Sequence, residues 1–151
     1  MTAFGSDGFT LTPGNQGGYA SGDTNMSGRT YVGWNWRGSD SSAVSNTNGS
    51  ITSTVSANTT AGFSIVTYNL NTSGAQTVGH GLSKPPEFII NKGRDYTSAW
   101  WVFTTVIDGS LDYIQLDGTG AKADDTIMSL PTSTTFGQVE NYTFPLSLIH
   151  I

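Results

Sequence analysis

The stretch GFSIVTYNLNTSGAQTVGHGLSKPPEFIINK, residues 62–92, decides the fold class of this chain. Apolar and polar residues alternate through Phe63, Ile65 and Thr67 and again through Phe88 and Ile90, which is the two-residue period of a strand. Gly-, Asn- and Pro-rich breaks separate the alternating runs, and such breaks mark turns. A single His stands between Gly79 and Gly81, ahead of Pro85-Pro86. Nothing in the block has the form of a reaction centre. It reads as one repeatable unit of an all-β domain, so the question becomes what the module holds or touches.

The same period extends on both sides. Alternation and turn punctuation predict strands at 8–11, 30–36, 50–55, 62–68, 75–78, 87–91, 99–105, 111–116 and 134–136. Turn signals lie between them at Pro13-Gly14, Asn48-Gly49, 71–74, Asp108-Gly109 and Asp117-Gly118. Strands this short at this spacing predict an antiparallel β-sandwich, jelly-roll or lectin-like, with little or no helix. The one weak helix candidate is 121–130, AKADDTIMSL, which Pro131 would stop. Residues 39–48, SDSSAVSNTN, read as a polar linker, and 46–60 as an edge strand plus loop.

Composition narrows the function classes. The 151 residues suffice for one sizeable core. Charged residues make up 11%, against an ordinary share of about 25%, while aromatics reach 11%. That balance is opposite to the usual disordered chain. The net charge of −5 and the absence of a basic cluster exclude ordinary nucleic-acid binding and attachment to anionic membranes. With no cysteine, disulfides and thiolate metal sites are impossible. No apolar run approaches the roughly 20 residues of a membrane span. Asn-x-Ser/Thr triplets at Asn25, Asn48, Asn58, Asn71 and Asn141 follow from a composition rich in Asn, Ser and Thr.

Catalytic readings find little support. His80 is the one His with functional weight, but a His between glycines is a turn residue whose ring bonds a backbone carbonyl, and no G-x-S-x-G is present. Paired carboxylates would be needed for glycoside cleavage. The available ones, Glu87, Asp95, Asp108, Asp112, Asp117, Asp124 and Asp125, mostly flank Gly or Thr, where Asp caps backbone amides. The run 117–125 offers oxygen ligands without the spacing of a calcium loop and reads as a solvated turn. No cofactor or metal is expected.

The tryptophans carry the binding expectation. Trp34 and Trp36 share one face of the predicted 30–36 strand with Val32, so both suit a core. Trp100 and Trp101 are adjacent and face opposite sides of theirs. One is then core, and the other is an interface anchor or a sugar-stacking platform, unless a second layer buries both. Tyr96 and Asp95, just before that strand, would add hydrogen bonds. Trp100, Trp101, Tyr96 and Asp95 are therefore the candidate contact residues.

The runs GSITSTVSANTTAGFSIVTY, TVGHGLSKPPEFIINK and SAWWVF resemble a domain of phage tail and virion proteins that is often repeated or found beside concanavalin-A-like lectin modules. The matching segments are 62–68, His80-Gly81-Leu82, 88–92, 100–103 and 113–116, and the likeness covers roughly 49–136. The resemblance implies a non-enzymatic structural or adhesion module of a phage tail or tail fibre, made in the host cytoplasm and located in the virion. Its implied partners are other tail subunits or copies of itself; the second reading is a lectin-like module that contacts host surface glycans. On this pattern 1–38 are closing strands of a preceding unit, 39–48 the linker, and 49–145 a truncated sandwich. An unpaired edge in such a unit would recruit strands, those of 1–38 among them. Residues 146–151, LSLIHI, depart abruptly from their context. The codons CTG TCT CTT ATA CAC ATC would encode them and resemble a transposon-end sequencing adapter. The natural frame is then expected to end near Pro145, in a metagenomic fragment.

Overall fold

The computed structural model describes residues 3–5, 8–10, 28, 30–39, 41–70, 73–95, 97–139 and, as backbone, 146–150. The chain divides into two units, Met1–Asn35 and Trp36–Ile151. In the first, β1 (Ala3–Phe4) pairs antiparallel with β2 (Phe9–Thr10), and the Gly5 amide donates to the Gly8 carbonyl at 2.7 Å. The predicted 30–36 strand is absent: these residues carry no regular structure, and Val32 and Trp34 are 75% and 74% exposed. Alternation supplies two faces but no partner, and a strand forms only where a neighbour completes its ladder. Trp34 and Trp36 are thus not core residues; Trp36, in the second unit, stacks on Phe63 with ring centroids 6.2 Å apart.

The larger unit contains β3 (Val44–Asn46), β4 (Ser53–Asn58), β5 (Phe63–Tyr68), β6 (Ala75–Gly79), β7 (Phe88–Gly93), β8 (Trp101–Thr104), β9 (Asp112–Gln115), β10 (Ala123–Asp124), β11 (Thr135–Val139) and β12 (Leu146–His150). Eight strands form one sheet in the order β10-β9-β8-β7-β12-β5-β4-β3, and β11 pairs with β6 in a second. Every strand pairing is antiparallel; one isolated parallel bridge joins Ile51 to Val78. Among the described residues there is no helix, and the fold is an all-β sandwich.

The core lies between the sheets. Val55, Val66, Tyr68, Ile89 and Phe103 of the large sheet meet Val78, Phe136 and Val139 of the small one, with Ile51, Leu111 and Met128 closing the cluster. Phe136 is 1% exposed and packs edge-on to Tyr68, with centroids 5.9 Å apart. The helix expected over 121–130 does not form. Asp125 Oδ1 instead accepts the Ile127 and Met128 amides at 2.8 and 2.7 Å, the local bonding by which Asp competes with a helix. Within the polar 39–48 stretch, Val44–Asn46 is the edge strand, so β4 lies one place inside it.

The GHG block is a clamp. The His80 side chain is fully buried. Its Nδ1 accepts the Leu82 amide at 3.0 Å, which leaves Nε2–H to donate to the Thr132 carbonyl at 3.1 Å. Both flanking glycines sit in tight surroundings, and Gly81 has the backbone conformation that favours glycine. A Cβ on Gly79 would lie 2.1 Å from Asn46 Oδ1, and Gly81 has φ +73° with Val55 Cγ1 2.7 Å from its Cβ position. Burial holds the His80 pKa below its usual 6.5, and the Thr132 bond opposes that shift. The unfolded chain therefore binds the proton more readily, so stability present above pH 6.5 is lost as pH falls below it. The melting temperature is expected to drop between pH 7.5 and 5.5, and His80→Gln to flatten that segment of the curve. An unchanged pH profile in thermal denaturation would refute the clamp.

Candidate functional site

The adjacent tryptophans separate as strand geometry requires. Trp101 begins β8 opposite Asn91 and is partly buried, with its ring edge-on to Tyr113 at 5.6 Å. Trp100 precedes the strand and is 38% exposed. Its amide donates to Asp117 Oδ1 at 3.1 Å, and its carbonyl accepts the Leu116 amide at 2.8 Å. The Lys92 ammonium lies 5.7 Å from the Trp100 ring centroid, a cation–π approach, while donating to the Ser98 carbonyl at 2.5 Å. Ser98 Oγ also accepts the Gly93 amide at 3.0 Å. The result is a half-exposed indole with an ammonium near its ring and a backbone held by the Asp117 carboxylate. Asp95 is exposed, and Tyr96 lies outside the described residues. Lys92, Ser98 and Asp117 were not singled out as contacts from the sequence. Lys92 occupies the outward phase of β7, which alternation reveals only once Trp100 is known to stand beside it.

Outward-phase residues also build a row across the large sheet. Ile90 pairs with Val102, and Val102 with Ile114. Ile65 stands two strands from Ile90, and both flank position 149 of β12. Ile65 is 37% exposed and Ile90 and Ile114 are partly exposed, while Val102 between them is buried. At the β5 end of the row the Ser39 amide donates to Ser56 Oγ at 3.0 Å.

The carboxylates gather elsewhere. Asp108, Asp112 and Asp124 surround the Lys122 ammonium at 2.6, 2.5 and 3.2 Å. Asp112 is fully buried, whereas Asp108 and Asp124 are exposed. Hydrogen bonds from Lys122 first, then Ser110, hold the Asp108 carboxyl well below the usual range, and those to Asp108 and Asp112 raise Lys122 above its usual 10.5. Among the described residues this is the one group of side chains able to surround a metal ion, and Lys122 supplies the positive charge at its centre. Asp117 and Asp125 act as amide caps instead.

The fold and surface define an all-β module with an ordered indole patch and an apolar outer row. By a match over residues 1–144, the chain belongs to a family described as a domain of unknown function, DUF7483. No curated protein and no solved structure matches it.

Proposed function

We propose that this chain is a non-enzymatic structural or adhesion module of a bacteriophage tail or tail-fibre protein, packing in the virion against copies of itself or other tail subunits. The observation that carries the reading is the outward phase of the large sheet, where Ile65 is 37% exposed and Ile90 and Ile114 are partly exposed on either side of a buried Val102, while the inward side holds the core. Such partly exposed apolar faces mark assembly surfaces. The sequence resemblance points the same way. His80, the residue with the most catalytic potential, is committed to the backbone on both ring nitrogens.

The second reading is a carbohydrate-binding module contacting host surface glycans. It draws on Trp100, whose exposed ring lies beside the Lys92 ammonium and whose backbone amide donates to Asp117. Light scattering and a glycan array on the same preparation separate the two. The expected result is self-association that Ile65→Glu weakens, with no saturable glycan signal. Saturable glycan binding that disappears in Trp100→Ala would replace the assembly reading by the lectin-like one.

A further inference from the structure

The turn between β3 and Ile51 holds a chemically labile pair. Asn48 is the one asparagine of the chain that is followed by glycine. It is exposed, and its amide donates to Asn46 Oδ1 at 2.9 Å. Among the described residues no hydrogen bond engages the Asn48 side chain or the Gly49 amide. Gly49 lies tight against the small sheet: a Cβ there would stand 2.3 Å from the Thr77 carbonyl oxygen and 2.8 Å from Val78 Cα. Those neighbours are backbone and cannot swing aside, so the turn favours glycine at 49. With no Cβ on Gly49, nothing shields its nitrogen from the Asn48 side-chain carbonyl. Immediately downstream the chain is fastened. The Ser50 amide donates to Thr77 Oγ1 at 3.0 Å, the Thr77 amide donates to Ser50 Oγ at 2.8 Å, and the Ile51 amide donates to the Thr77 carbonyl at 3.1 Å. Ile51 itself is 2% exposed. Upstream, β3 is a three-residue edge strand whose Val44 is 63% exposed.

We propose that Asn48 is a site of spontaneous deamidation, and that its isoaspartyl product loosens β3 from the large sheet. The inference is independent of the tail assignment. The Gly49 amide nitrogen gives its proton to hydroxide and attacks Asn48 Cγ. The N–Cγ bond forms, the Cγ–Nδ2 bond breaks, and ammonia leaves with a proton from water, which regenerates the hydroxide. Water then opens the five-membered imide at one of its two carbonyls. Opening at Cγ gives aspartate. Opening at the backbone carbonyl gives isoaspartate, whose main chain runs through Cβ and Cγ and is one atom longer. The net change is hydrolysis of the side-chain amide, with no redox step and no partner but water. Either product adds one negative charge to a chain whose formal net charge is −5. The extra main-chain atom has no room downstream, where Ser50 and Ile51 are tied to Thr77. It is taken up in β3, which is held by the three pairs from Val44–Val55 to Asn46–Ser53 and buries little apolar surface. Segments with few buried apolar contacts are the ones that open locally.

The test is incubation of the folded full-length chain at mildly alkaline pH, followed by ion-exchange chromatography and peptide mapping by mass spectrometry. An acidic species carrying one extra charge and a mass gain of one dalton at Asn48 is expected, faster than at any other asparagine and absent from Asn48→Gln, whose longer side chain would have to close a six-membered ring. No conversion at Asn48, conversion no faster than elsewhere, or an acidic species that persists in Asn48→Gln would overturn the site. Hydrogen exchange on the separated isoaspartyl fraction reads the second half of the proposal. The amides of Val44–Asn46 are expected to lose protection while those of Phe63–Tyr68 keep theirs. Asn48→Asp carries the charge without the extra main-chain atom and is expected to leave β3 protected. Unchanged exchange in β3 of the isoaspartyl fraction, or an equal loss of protection in Asn48→Asp, would overturn loosening by the longer main chain.

Discussion

Phe136→Ala is expected to lower the melting temperature by roughly 6–20 °C. Truncating a buried Phe costs about 3–5 kcal/mol in lost transfer energy and residual cavity, and a domain of this size moves about 2–4 °C per kcal/mol. The site has little means of collapse. Phe136 lies on a two-stranded sheet, paired with Val78, and its ring meets Tyr68 of the opposite sheet. Removing it detaches the small sheet from the large one at the point where Val78, itself 0% exposed, also enters the core. Differential scanning calorimetry reads the shift. A fall of only a degree or two would mean that the two sheets are not packed through this residue.

Lys122→Met should cost less at pH 3 than at pH 7, and this inversion is more informative than the size of the loss. At neutral pH the variant leaves Asp112 buried beside Asp108 and Asp124 without its counter-charge, and an uncompensated buried charge is strongly destabilising. In the parent chain Lys122 holds the Asp108 pKa below its usual 3.8. The unfolded chain then binds protons more readily, so the contribution is present above pH 3.8 and lost as pH falls through the folded value. Without Lys122 that contribution is gone from the start, so acidification takes from the parent a stabilisation that the variant never had. Melting curves of parent and variant should therefore converge on acidification, reaching a difference of several degrees near neutrality. Parallel curves would show that Lys122 contributes through its methylene stem and not its charge.

Strands in the middle of the chain were legible because their alternation meets real partners. The 62–68, 75–78, 87–91 and 111–116 predictions fall on β5, β6, β7 and β9 with ends shifted by a residue or two. The 30–36 strand failed because alternation says nothing about who hydrogen-bonds to whom. The 121–130 helix failed because Asp125 satisfies the amides that a helix would have used. The opposite facing of Trp100 and Trp101 follows from adjacency alone. That Lys92 would lie over the Trp100 ring, or that three carboxylates separated by up to sixteen residues would enclose Lys122, depends on the order of strands in the sheet. Strand order is a long-range property that periodicity does not carry.

The seat of β12 bears on how the module behaves under load. Ladder hydrogen bonds lie perpendicular to antiparallel strands, and β12 is laddered along both edges. Tension along this segment strains both rows of bonds at once in shear, whereas an edge strand can be peeled one bond at a time. A strand that enters its sheet in the middle is fastened as a tenon in a mortise, and a pull along it must break both rows of bonds together.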